Sequence, residues 1–242
     1  MAVKRLNSNM VGAGDVSNAE HAYLNSVSSN IQTQVTNAAA TPALPAVGSS
    51  GNVLTSDGTN WASAAAGGGA WSVITRTEAS NQNSVSFTGF NSSTYGGYKV
   101  LIRFVQQYDN TRLYMRVSSN GGSSYDSGGS DYKFAIATFK DDDSSVSVER
   151  SGSSSIIQLR GANMGNQSGE NGSYEITTIS PDKVANTYFL IHSAIQWDTG
   201  QLAWANGSAC RNTASAVNAI QIYSNNGNIT NGEFTFLGLK KS

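Results

Sequence analysis

Residues 98–104 read YKVLIRF, and their alternation decides the fold. Tyr98, Val100, Ile102 and Phe104 recur at every second position, the spacing that lines one face of a β-strand. The same period returns at Leu113, Met115 and Val117, and again at Tyr132, Phe134 and Ile136. Shorter strand-like runs are Val85–Phe87, Tyr174–Ile176, Tyr188–Trp197, Gln201–Trp204, Ala219–Tyr223 and Glu233–Leu239. Between them stand turn signals: Asn120-Gly121-Gly122, Gly128-Gly129, Asn206-Gly207 and Asn225-Asn226-Gly227. About ten strands in about 170 residues is the pattern of a β-sandwich with a jelly-roll-like layout. The sequence therefore predicts a β-sandwich head over residues 71–242, large enough to bury its own core.

Composition agrees with a β-rich surface or structural protein. Of the 242 residues only 13% are charged, and the formal net charge is −1. That charged fraction is about half the usual quarter. Ser and Thr suit strands, Gly and Asn suit turns. No basic footprint marks nucleic acid as a partner. Cys210 is the single cysteine, so an intrachain disulfide is excluded. The sequence has no apolar run of membrane-spanning length, so no membrane insertion is expected. Residues 1–16 carry basic residues without an apolar stretch behind them, which is unlike a secretory signal.

Upstream of the predicted head the pattern changes. Ser17-Asn18-Ala19-Glu20 is a capping box that opens a helix. Leu24, Val27, Ile31, Gln34 and Ala38 then alternate spacings of three and four, a heptad seam with Leu24, Ile31 and Ala38 at a and Val27 and Gln34 at d. The reading is a coiled-coil stem over residues 17–41; its rival is an amphipathic helix laid on a globular domain, which would carry a wider apolar stripe. The β-branched Val27 at d disfavours a parallel dimer and points to a homotrimer. Pro42 and Pro45 stop the helix. Residues 42–70 read as a linker containing a small hairpin turned at Asp57-Gly58, and Gly67-Gly68-Gly69 as a hinge. Residues 1–16 have no periodic pattern and read either as a tail or as a docking peptide.

These segments resemble bacteriophage tail-fibre proteins. VSNAEHAYLNSVSSNIQTQV (16–35) is similar to a stem repeat of those fibres, and GSSGNVLTSDGTNWAS (48–63) to a short unit found in the same proteins. AIQIYSNNGNITNGEFTFLGLK (219–240) resembles the closing strands of their β-sandwich heads. The resemblance implies a virion fibre: residues 1–16 docked on another virion protein, a trimeric stem, and a head that binds a host surface polysaccharide or protein receptor. It also implies assembly in the host cytoplasm and residence on the tail or capsid surface. The stem is brief for a tail fibre, which leaves a capsid head fibre or decoration protein open.

Chemistry is sparse. A polysaccharide-degrading tailspike needs paired carboxylates in a cleft. Asp141-Asp142-Asp143 and Glu149 are the nearest thing to such a set, and the aspartates read as a solvated turn without calcium-loop spacing. His21 and His192 lie far apart, and His192 reads as a core or face residue of a strand. No nucleophile elbow, zinc pattern or phosphate loop occurs in the sequence. Cys210 reads as a buried structural thiol. The expectation is thus a non-enzymatic protein with no catalytic residue, metal or cofactor. Aromatic rings pack on sugar faces, so Tyr125, Tyr132, Trp197 and Trp204 are the candidate glycan contacts.

Overall fold

The structure is a computed structural model and describes residues 33, 52–56, 58–65, 70–106, 108–159, 163–167, 169–197 and 199–241. The docking peptide at 1–16 and the stem seam Leu24, Val27, Ile31, Gln34 and Ala38 lie outside the described residues. The chain divides into two units, Met1–Gly67 and Gly68–Ser242. In the first, β1 (Asn52–Ser56) pairs antiparallel with β2 (Trp61–Ala65), from Asn52↔Ala65 to Ser56↔Trp61. Gly58 sits between them at φ +90°, a conformation glycine adopts without steric cost. Val53, Leu54 and Trp61 of this hairpin are all exposed.

The second unit is mainly β. Its strands are β3 (Trp71–Gln82), β4 (Ser84–Phe87), β5 (Tyr95–Gln106), β6 (Leu113–Ser118), β7 (Tyr132–Lys140), β8 (Ser147–Ser154), β9 (Ile157–Gln158), β10 (Gly172–Ile179), β11 (Thr187–Gln196), β12 (Leu202–Arg211), β13 (Ala219–Ser224) and β14 (Ile229–Lys240). Eight form one sheet in the order β3-β14-β5-β10-β11-β12-β7-β8, and four form another, β4-β13-β6-β9. Every pairing is antiparallel. One buried cluster draws on both sheets: Val100, Ile102, Phe104, Phe189, Ile191 and Phe234 from the larger, Val85, Leu113, Met115, Val117 and Ile222 from the smaller. Two sheets closing on one core is the arrangement of a β-sandwich. The eight-plus-four division exceeds the eight strands of a jelly roll.

The alternation in YKVLIRF does what period two demands. Tyr98, Val100, Ile102 and Phe104 point inward, while Leu101 and Arg103 point to the outer face of the large sheet. Full burial of a ring such as Phe104 or Phe234 contributes about 1.5–3 kcal/mol each. At one end Phe87, Phe90, Tyr98 and Phe236 gather with ring centroids 4.4–5.4 Å apart. Tyr98 keeps its hydroxyl satisfied there by accepting from the Asn91 amide at 2.7 Å.

Two features depart from the sequence reading. Asn206-Gly207 is not a turn; it lies in the middle of β12, with Gly207 opposite Ile136 of β7. A Cβ at Gly207 would stand 2.4 Å from the Ala135 carbonyl oxygen, so the glycine serves close backbone approach. The strands β3 and β8 form although their sequences carry no clear alternation. They are the two edges of the large sheet, where a strand has pairing on one side only.

Arg211 closes the end of β12. Its side chain is 3% exposed, and Nε donates to Asp126 Oδ2 at 2.6 Å. Nη1 donates to Ser215 Oγ at 2.7 Å and to the Ser215 carbonyl at 3.0 Å, and Nη2 reaches Ser119 Oγ at 3.4 Å. One guanidinium thereby joins the loop after β6 to the loop after β12.

Candidate functional site

The outer face of the large sheet carries an open concavity. Small side chains make its floor: Ser173 on β10 and Ala194 on β11 are directly paired. Larger ones rise on either side, Leu101 and Arg103 from β5 and Trp204 from β12. The difference in side-chain height leaves an open trough of about 570 Å³. Register alone assembles it. Arg103 pairs with Ser173, Ser173 with Ala194, and Ala194 with Trp204, so the row crosses four adjacent strands. A second row beside it runs Leu101, Glu175, His192, Asn206.

Trp204 is 48% exposed. Phe139, its partner on β7, stacks on one face of the indole, with centroids 4.1 Å apart and planes 9° from parallel. That stacking holds the ring upright and leaves its other side toward Ala194 and the trough. Two carboxylates line the same concavity, and each has a cation. Lys99 Nζ lies 2.6 Å from Glu175 Oε1, and Arg76 Nη2 lies 2.8 Å from Glu233 Oε2. Among the described residues Arg103 makes no salt bridge. His192 is exposed on this face, directly opposite Glu175, and is not a core residue.

Comparison with protein-family models, curated proteins and solved structures finds no match for this chain.

Of the four aromatics singled out in the sequence, Trp204 alone lines the trough. Tyr132 is corrected outright as a glycan contact. It is 0% exposed, accepts from the Val117 amide at 2.9 Å and donates to the Asp126 carbonyl at 3.0 Å. Burial pushes its phenol pKa well above the ordinary value. Trp197 is half-buried against the core, and Lys140 Nζ sits 4.5 Å over its ring, so that face is already taken. Tyr125 is half-buried in the loop after β6.

Two of the remaining polar candidates, Glu149 and Asp143, are engaged elsewhere. Glu149 pairs with Arg112 at 3.2 Å and accepts from Gln158. Asp143 Oδ1 accepts from the Ser145 amide at 2.8 Å and from the Ser145 hydroxyl at 2.7 Å, which closes the β7–β8 turn and lowers the Asp143 pKa. No group of three potential metal ligands occurs among the described residues. Cys210 is half-buried on the outer face rather than in the core, beside Tyr188 and Lys133. Its thiol donates to the Arg211 carbonyl at 3.3 Å, and burial raises its pKa. Among the described residues no helix is long and apolar enough to cross a membrane.

Proposed function

We propose that this chain is a trimeric bacteriophage virion fibre protein, a tail fibre or similar, whose head attaches the particle to a host surface polysaccharide through the trough on the large sheet. The observation that carries the reading is Trp204: an exposed indole held upright by Phe139 above a floor of Ser173 and Ala194. Sugars present an apolar face that stacks on such a ring and hydroxyls that take hydrogen bonds from neighbouring polar groups. Ser173, His192, Glu175 and Arg103 supply those groups. The fibre part of the proposal draws on the motifs at residues 16–35, 48–63 and 219–240. Binding without cleavage belongs to the same reading, since Glu175 and Glu233 each stand in an ion pair rather than as a free acid and base.

A second reading has its own observation. Ile179, Val184, Tyr188 and Leu190 are large, apolar and exposed toward the β10–β11 connection. Such a patch suits contact with another protein, as in a capsid head fibre or decoration protein. Immunogold labelling of the particle separates the two, with a distal tail position supporting attachment and a capsid position supporting decoration. Binding of purified protein to host cells, lost in Trp204→Ala, supports the glycan reading. Release of oligosaccharides from host polysaccharide would instead reveal a degrading tailspike.

A further inference from the structure

We infer that the saccharide taken by the trough is anionic, a polysaccharide carrying uronic-acid carboxylates, with one carboxylate seated on Arg103. This rests on the trough being a glycan site and adds the chemical class of its ligand. The argument is one of charge. Both carboxylates of the lining are neutralised, Glu175 by Lys99 and Glu233 by Arg76. Arg103 is the lining cation left without a salt bridge among the described residues, and it stands exposed. A guanidinium forks onto a carboxylate through two parallel hydrogen bonds, which an ammonium cannot do.

Position gives the ligand a direction. Arg103 and Trp204 are three interstrand spacings apart, about 14 Å between backbones. A short run of sugar rings covers that span, one ring on the indole and the carboxylate-bearing ring at the guanidinium. On the other side of Arg103, Glu233 is followed by Glu78 on β3, which makes no salt bridge among the described residues. Its charge repels an anionic chain from the β3 edge and directs it across Ser173 and Ala194 toward Trp204.

The test uses the full chain on an array of uronate-containing bacterial polysaccharides, each printed beside its carboxyl-reduced form, together with neutral and phosphate-bearing polysaccharides. The expected result is binding to uronate polymers that falls about tenfold or more on carboxyl reduction, since a charge-assisted hydrogen bond supplies that much. Arg103→Gln lowers binding to the uronate form by a similar factor and leaves the carboxyl-reduced form unaffected. Trp204→Ala lowers both. Raising salt weakens the wild type more than Arg103→Gln. Equal binding of reduced and unreduced polymers, or a preference for neutral or phosphate-bearing ones, overturns the anion assignment while leaving a glycan site in place. Failure to bind any polysaccharide overturns both readings. So does dissociation of the oligomer by Arg103→Gln and Trp204→Ala, which would show that another copy of this chain covers the face.

Discussion

Replacing Arg211 by alanine removes the guanidinium that ties the loop after β6 to the loop after β12. The side chain is 3% exposed, whereas its partner Asp126 keeps 25% of its surface in water. Truncating one member of a buried ion pair costs about 3–5 kcal/mol. Asp126 recovers some hydration when Arg211 is lost, so the lower end applies, about 3 kcal/mol. The carbonyl of Ser215 loses its donor as well. For a domain of roughly 150–250 residues each kcal/mol moves Tm by about 2–4 °C, which gives a fall of about 6–12 °C. Arg211→Lys keeps the charge but loses the fork, and should fall between the two. The assay is thermal melting followed by circular dichroism, with urea unfolding as a check. A shift under about 2 °C for Arg211→Ala, with the β spectrum intact, would refute the claim that this guanidinium joins the loops.

Gly207→Ala places a methyl group 2.4 Å from the Ala135 carbonyl oxygen and 2.7 Å from Ile136 Cα, both backbone atoms. It should cost about 1–3 kcal/mol in urea unfolding, whereas Gly129→Ala, with nothing within 4 Å of the new methyl, should be near neutral. Burial raises the phenol pKa of Tyr98, Tyr132 and Tyr223. The folded state therefore favours the protonated phenols. That contribution is fully present below the unfolded value of about 10 and is lost as pH rises beyond it. Stability should drop above pH 10 in a pH series of melts, and Tyr132→Phe should make the drop shallower. Light scattering should find a trimer for the intact chain, and Ile31→Asp, which places like charges together on the proposed stem axis, should dissociate the stem while the head's β spectrum persists; a monomeric wild type would count against the heptad reading.

The interior strands of both sheets were legible in the sequence because they are buried on one face and paired on both edges. YKVLIRF, Leu113–Val117 and Tyr132–Ile136 each show the period that burial selects. β3 and β8 escaped because these edge strands bury almost nothing on either face, so burial selects no alternation in them. Asn206-Gly207 misled because the pair that permits a turn also permits close strand approach. Tyr132 carried its own correction: the alternation that names β7 puts it on the same side as Ile136, which is the core side. Of the trough, only Trp204 could be picked out by residue type. Arg103, Ser173, Ala194 and Trp204 lie on four separate strands, and nothing but register brings them into one row. Sequence spacing carries no record of that register.

The place of β14 between β3 and β5 imposes a schedule on synthesis. β3 leaves the ribosome first of the head's strands, and among the described residues it pairs with β14 alone. The chain from Gln82 to Ile229 must be made in between, which at about 5–20 residues per second takes on the order of ten seconds. For that interval β5 also waits, with an open edge toward the missing neighbour. Unpaired edges of this kind recruit other chains. When several copies are synthesised side by side for one assembly, the interval sets a race between insertion of each chain's own β14 and capture of a neighbour's. Slower translation between β3 and β14 would tilt that race toward exchanged strands.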